Sequence, residues 1–304
     1  MTHDRSHFVS LSKATFAVVV WGASFIATKI ALRDVEPVTV IWLRFGIGVI
    51  VLGVIMALKE GFALPARRDL MYFSFLGLQG ITFHQWLQVT GLVTSQATTT
   101  AWIITTIPIF IAILGWLILR EKLSWSAAGG IALAGVGVLI IVTHGDPTAL
   151  LHGHFGAPGD LLILISAPNW AAFSVLSRRG LKNQSAIRML FFVMGFGWIF
   201  TSVWLIAAGR LQDLAQLTTG GWSAVLFLGI FCSGLAYIFW YDALKAIPAS
   251  QVGSFLYLEP IVAMGVAAVL LHEALIVAEL FGGALILLGV WLVNRRRALE
   301  SPPD

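Results

Sequence analysis

The sequence predicts an all-α, polytopic membrane protein of ten transmembrane helices arranged as two inverted five-helix repeats. Three observations predict it: a chain too apolar for water, Lys and Arg gathered into alternate loops, and an internal duplication whose unit holds an odd number of spans. Of the 304 residues, 58% are apolar and 11% charged, whereas a soluble domain carries roughly 25% charged residues to hydrate its surface. That composition excludes a soluble enzyme. The net charge of +4 is too thin for a surface that tracks nucleic-acid phosphates, so no nucleic-acid partner is expected. One cysteine, Cys232, excludes an intrachain disulfide and any multi-cysteine metal site.

A helix needs about 20 mostly apolar residues to cross the hydrocarbon core, and charge clusters with Gly/Pro turns cut the chain into ten such segments. The first, 12 to 32, stops at Arg33-Asp34; it is longer than a signal-peptide core and lacks a small-residue cleavage pattern, so it is read as a retained helix. The second, 37 to 58, opens on Pro37 and ends at Lys59-Glu60-Gly61. The third, 69 to 91, follows Arg67-Arg68, and the fourth, 96 to 119, ends at Arg120-Glu121-Lys122. The fifth, 124 to 143, runs into His144-Gly145-Asp146-Pro147, and the sixth, 159 to 178, reaches Arg178-Arg179-Gly180. The seventh, 187 to 208, stops at Gly209-Arg210; the eighth, 221 to 243, stops before Lys245. The ninth, 249 to 271, begins after Pro248, and the tenth, 275 to 294, ends at Arg295-Arg296-Arg297.

Positive charge is retained on the cytoplasmic side. Fifteen of the 19 cations fall in one set of alternate loops and termini, only Arg33 and Arg210 in the other, and Lys29 and Arg44 within spans. Both termini are therefore expected to be cytoplasmic, with residues 295–304 as a cytoplasmic tail.

Laid on itself at an offset of 152 residues, the chain matches without gaps from Phe75–Val138 to Phe227–Val290. Phe75-Leu76-Gly77 meets Phe227-Leu228-Gly229, Pro108 meets Pro260, Glu121 meets Glu273, and Gly130 and Gly137 meet Gly282 and Gly289. At an offset of 149, Trp21 meets Trp170 and Gly46-x-Gly48 meets Gly195-x-Gly197. The repeats are placed at 1–143 and 158–294. Five spans each means that the second enters the membrane from the opposite side, the arrangement of many secondary transporters, in which rocking about a midplane site gives alternating access.

With Trp21-Gly22-x-x-Phe25, Arg44-Phe45, Gly159-Asp160-Leu161 and the Pro-x12-Glu pairs Pro108/Glu121 and Pro260/Glu273, the chain resembles the drug/metabolite transporter superfamily, EamA type. Within it, the aromatic and amide residues described next resemble those of the YddG-like amino-acid exporters. The resemblance implies a multi-pass exporter of metabolites in the bacterial inner membrane, and a central cavity among the third, fourth, eighth and ninth helices.

Polar side chains inside a span cost free energy unless they face a partner or a watery cavity. In the fourth span Thr98, Trp102, Thr105 and Thr106 share one helical face. The 152 offset carries the first three onto Ser250, Ser254 and Tyr257 of the ninth. His84, Gln85 and Gln88 form a stripe on the third span, and Tyr237 and Trp240 stand at the matching positions of the eighth. His84, Gln85, Gln88, Thr98, Trp102, Trp170, Tyr237, Trp240, Ser254 and Tyr257 are therefore the candidate substrate-binding residues. The bland alternative is that hydroxyls bond back to their own helix and that Trp and Tyr mark the interface or pack.

Glu259 lies midway through the ninth span before Pro260, while its sister position is Ile107. It reads either as a group that binds a substrate ammonium or exchanges a proton, or as an acceptor at the helix break. Lys29 is expected to snorkel to the headgroups, Arg44 to pair with Asp160 or Glu36 at the outer surface, and Glu121 and Glu273 to sit at the starts of the fifth and tenth helices. The glycines of the fifth and tenth spans read as packing or dimerisation elements, in a monomer or weak homodimer. His144, His152, His154, Asp146 and Asp160 form a solvated loop rather than a metal site.

The candidate cavity faces carry no basic residue, which turns the expected substrate away from phosphorylated compounds. Amides, an imidazole, hydroxyls, rings and one acid suit a small zwitterionic or neutral metabolite. An amino acid with an aromatic or apolar side chain, moved outward by alternating access with or without proton coupling, fits best. A multidrug or quaternary-amine exporter and an uncoupled facilitator are the alternatives. No nucleophile–base pair or cofactor motif appears in the spans, so neither enzyme activity nor a cofactor is expected.

Overall fold

The computed structural model describes residues 2–119, 124–146, 148–151, 156–181, 184–246, 252, 255–274 and 276–294. Among them every regular element is helical. Ser250, Ser254, Glu121, His152, His154 and the tail 295–304 lie outside the described residues.

Helix α1 (Thr2–Ala31) turns into α2 (Pro37–Lys59), whose Pro37 stands at the helix start, where a missing N–H is harmless. A single rod follows: α3 (Arg67–Leu76), a π-helical segment (Gly77–Phe83) and α4 (His84–Thr94). The next span is broken in two, α5 (Ala97–Ile104) and α6 (Ile107–Leu119), with Thr105-Thr106 between them and Pro108 just inside α6. Ser124 caps α7 (Trp125–Val142) by accepting from the Ala127 N–H at 3.2 Å. A single turn, α8 (Thr148–Leu151), leads to α9 (Pro158–Leu181), which holds Pro168 within it. Ser185 caps α10 (Ala186–Ala207) in the same way. After a 3-10 turn (Arg210–Ala215) comes the second composite rod: α11 (Thr219–Phe227), a π-helical segment (Leu228–Leu235) and α12 (Ala236–Ala246). A 3-10 turn (Phe255–Leu258) opens α13 (Glu259–Leu270), and α14 (Val277–Asn294) is the last described helix.

Among the described residues seven helices are long and apolar enough to cross a membrane, and Phe255–Leu270 and Val277–Val293 are shorter apolar helices. The rod from Arg67 to Thr94 is not among the seven; Arg67, Arg68 and Asp69 and the stripe His84, Gln85 and Gln88 dilute its apolar character.

The duplication is visible in the packing. A Cβ added to Gly130 would lie 2.5 Å from the Gly289 carbonyl oxygen, and one added to Gly137 would lie 2.5 Å from the Gly282 carbonyl oxygen. Because the 152 offset converts Gly130 into Gly282 and Gly137 into Gly289, these two contacts interchange when the repeats are swapped, as in a two-fold interface. The glycines thus pack the fifth-span helix on the tenth within one chain. Likewise α10 packs on the first π segment and α2 on the second, with Gly77 against Val193 and Gly197, and Gly229 against Ile47 and Arg44. The π segments themselves fall at matching positions, since Gly77–Phe83 shifted by 152 lands within Leu228–Leu235.

Among the described residues two large apolar clusters result, beside a small one of Ala14, Ala243 and Val252. One gathers α2, α10, both π segments and rings such as Trp21, Trp170, Tyr237 and Trp240; the other gathers α5, α7, α13 and α14 around Trp102.

Candidate substrate site

A π-helical turn inserts a residue and shifts the i→i−4 ladder, which frees carbonyls and re-aims side chains. In the second π segment the Cys232 carbonyl accepts a bond from the Trp21 indole N–H at 3.2 Å. Trp21 then packs 5.3 Å from both Tyr237 and Trp240. The next residue, Ser233, accepts from Arg44 Nε at 3.0 Å. In the first π segment the Gln79 amide donates to the Asn169 carbonyl at 2.8 Å and to its side-chain oxygen at 2.7 Å, and the Asn169 amide returns a bond to the Gln79 carbonyl at 3.2 Å.

His84 and Gln85 follow at once, on the first turn of α4, and both are buried. The His84 ring lies 4.7 Å from the Trp170 ring, which lies 4.8 Å from Phe173. His84 Nδ1 makes no hydrogen bond among the described residues. Gln85 Oε1 accepts from Arg44 Nη1 at 3.4 Å. Gln88 is half-buried one turn further on.

Arg44 corrects two expectations. It does not pair with either acid: Asp160 accepts from the Ser95 hydroxyl at 2.5 Å and the Ala157 N–H at 2.8 Å, and Glu36 faces Arg210 at 3.5 Å. Nor are the candidate faces free of basic residues. Arg44 is buried, its guanidinium held by Ser233 and Gln85 between the repeats, and no carboxylate lies within ion-pair distance among the described residues. Seven residues along α2 from Pro37, at about 1.5 Å each, put it roughly 10 Å from the helix start. The expected pairing failed because both outer-surface acids are taken by other partners.

Glu259 opens α13 and lies deep among protein atoms, yet it keeps some accessible surface and makes no hydrogen bond or ion pair among the described residues. A Cβ on Gly22 would lie 2.7 Å from its carbonyl oxygen, so only a glycine lets α1 pass at this point.

The remaining candidates fall elsewhere. Thr98 and Ala97 begin α5, where the Glu273 carboxylate accepts from the Ala97 N–H at 3.0 Å, the Thr98 N–H at 3.2 Å and the Thr98 hydroxyl at 2.8 Å. Glu273 therefore caps the fourth span, not the tenth. Lys29, expected at the headgroups, instead donates to the Ser95 carbonyl at 2.5 Å and lies 3.8 Å from Glu273. Trp102 packs face-on against Gly283 of α14, with its indole nitrogen lacking a partner among the described residues, and Tyr257 joins the same apolar cluster. Thr105 and Thr106 bond back to the Ala101 and Ile103 carbonyls, at 2.8 and 2.6 Å. Sequence reasoning missed Glu279, fully buried beside Thr99 at 2.8 Å, and also Gln79, Asn169 and Ser233.

Two clefts open at the helix ends. One, of about 380 Å³, is lined by Lys29, Arg33, Gln96 and Glu273 with apolar neighbours; the other, of about 720 Å³, is lined by Arg67, Arg68, Asp69 and Tyr72 among others. None of the predicted substrate residues lines either one.

A profile of the EamA-like transporter family matches residues 11–143 and 157–295. An uncharacterized transporter of Archaeoglobus fulgidus is 26% identical over 92% of this chain and 95% of its own. The uncharacterized transporter YyaM of Bacillus subtilis is 28% identical over 95% and 93%. A probable terminal-alkyne amino-acid exporter of Streptantibioticus cattleyicolor is 27% identical over 95% of each chain. One solved structure superposes with a TM-score of 0.65 at 21% identity, covering 98% of this chain and 99% of the other, and shows the same fold.

Proposed function

Since the chain belongs to the EamA-like transporter family, with one match to each half, we propose that it exports small zwitterionic or neutral metabolites, best of all amino acids with aromatic or apolar side chains. The observation that carries this reading is the cluster formed where the two π segments meet α1, α2 and α9. It joins His84, Gln85, Trp170, Trp21, Tyr237 and Trp240 from both halves of the chain. Rings of this kind stack on an aromatic side chain, and Glu259 offers a carboxylate to an ammonium group. The likeness to a probable amino-acid exporter adds support.

The mechanism is alternating access between two inverted five-helix repeats, with ten crossings of a bacterial inner membrane and both termini in the cytoplasm. The two π segments, at matching positions and each packed on the second helix of the other half, are the pivots of the rocking motion. Boundaries at 1–143 and 158–294 follow from the duplication. Glu259 is the group on which proton coupling would act; an uncoupled facilitator would show no response to a pH jump. The aromatic cage of Trp21, Tyr237 and Trp240 favours a second reading, export of quaternary amines, through cation–π attraction.

Uptake by purified protein in liposomes separates the readings. Accumulation of labelled amino acids supports the first; accumulation of quaternary amines with no amino acid moved overturns it.

A further inference from the structure

The packing that surrounds Arg44 has a built-in control, because the second repeat makes the same contacts without a cation. At the offset of 149, Arg44 corresponds to Val193, and at 152 its acceptor Ser233 corresponds to Ile81. The Val193 carbonyl meets Gly77 as the Arg44 carbonyl meets Gly229, so the two backbones pack alike, and the fully buried Val193 shows that the scaffold accepts an apolar side chain at this position. Glu259 has the same asymmetry, with Ile107 as its sister. Two in-span charges of opposite sign thus stand where the duplicated scaffold needs none.

Burying an arginine without a counter-ion is costly, because the desolvated charge has no opposite charge to offset it. Two neutral acceptors leave part of the guanidinium fork unused, because the group carries five N–H donors and only Nε and Nη1 are engaged. A planar carboxylate accepts two parallel bonds from such a fork. Phosphate would call for further cations, whereas the groups bonded to Arg44 are the neutral Ser233 and Gln85.

We propose that Arg44 is the carboxylate anchor of the transport site, a substrate-binding residue that holds the α-carboxylate of an amino acid while Ser233 and Gln85 fix the guanidinium plane. This rests on the amino-acid reading above, and it deepens that reading from zwitterionic or neutral solutes to solutes bearing a free carboxylate. With Glu259 taking the ammonium, the two charges form a clamp for a zwitterion and the rings of Trp21, Tyr237 and Trp240 face its side chain. The same cation repels quaternary amines, which disfavours that alternative.

The test is counterflow in proteoliposomes with full-length protein, comparing phenylalanine with phenylalanine amide, which keeps the ammonium and the ring and lacks the carboxylate. Wild-type protein should prefer the acid at least tenfold. Arg44→Gln should collapse that ratio to near one, and Arg44→Lys should restore part of it. A merely structural arginine would lower both uptakes together and leave the ratio intact, so an unchanged ratio in Arg44→Gln overturns the anchor while the amino-acid reading stands. If wild-type protein moves the amide or quaternary amines and no free amino acid, the reading of function falls and the anchor with it. Should Arg44→Gln fail to fold, Ser233→Ala and Gln85→Leu free the guanidinium from its supports. Each should cut the acid-to-amide ratio severalfold, and ratios equal to wild type in both would overturn the proposal.

Discussion

Replacing Gly137 with alanine tests the two-fold contact that ties the repeats together. The new Cβ would stand 2.5 Å from the Gly282 carbonyl oxygen, 2.9 Å from Ile286 Cγ1 and 3.0 Å from the Ile286 nitrogen. An ordinary carbon–oxygen contact is about 3.3 Å, so α7 and α14 must separate by roughly 0.8 Å. Two of the three opposing atoms are backbone and cannot swing aside. Overpacking of this kind costs about 1–3 kcal/mol, against roughly 0.5–1 kcal/mol gained by replacing glycine inside a helix. The net expectation is a loss of about 1–2 kcal/mol. Gly135, two residues earlier and so on the other side of α7, has nothing within 4 Å of its added Cβ, so Gly135→Ala should gain about 0.5–1 kcal/mol from helix propensity alone. The assay is unfolding of the purified protein in mixed micelles titrated with denaturing detergent, followed by tryptophan fluorescence. A gap of about 2 kcal/mol between the two variants is expected, with Gly282→Ala behaving like Gly137→Ala. Equal stability of Gly137→Ala and Gly135→Ala would refute the close approach of α7 and α14.

Glu273→Gln removes the charge that accepts three bonds at the start of α5 and faces Lys29; a loss of about 1–2 kcal/mol is expected in the same assay, typical of a charged cap. Asp146 is held below the usual carboxylate range by the Thr148 hydroxyl and then the Thr148 N–H, which both donate to it. Because its folded pKa is depressed, its support of the turn α8 is complete above the ordinary value of 3.8 and is lost as pH falls through the lower folded value. Hydrogen exchange at the Thr148 amide, corrected for intrinsic rate, should show this loss, and Asp146→Ala should abolish the pH dependence. Cys232 is fully buried, so maleimide labelling should be at least a hundredfold slower in the folded protein than after denaturation, and equal rates would contradict the placement of the second π segment.

The sequence carried the helical class, the duplication and the matched glycines, because apolar run length and residue spacing are local properties of the chain. The π segments were not legible: a shift in hydrogen-bond register leaves no mark in composition, although the recurrence of Phe-Leu-Gly at the start of both, in Phe75-Leu76-Gly77 and Phe227-Leu228-Gly229, was a pointer. Of the site, the stripe His84 and Gln85 and the rings Trp170, Tyr237 and Trp240 gather as a helical face with a sister face should. Thr98 and Trp102 shared an equally good pattern and were drawn away by tertiary partners, Glu273 and Gly283, that helical periodicity does not contain. Arg44 was paired with Asp160 or Glu36 because the topology set all three near the outer surface. The signal that could have flagged it is the asymmetry of the repeats, since its sister is Val193; the same comparison, which sets Glu279 against Ala127, could have flagged Glu279.

Counterflow of a labelled aromatic amino acid by His84→Ala and Gln85→Ala, with Gly135→Ala as the control, tests the central claim that solute passes through the cluster between the repeats. Initial rates at least tenfold below wild type are expected for the first two in protein that remains folded, and a wild-type rate for the control. Wild-type counterflow in both His84→Ala and Gln85→Ala would contradict the account and place the transport path elsewhere in the bundle.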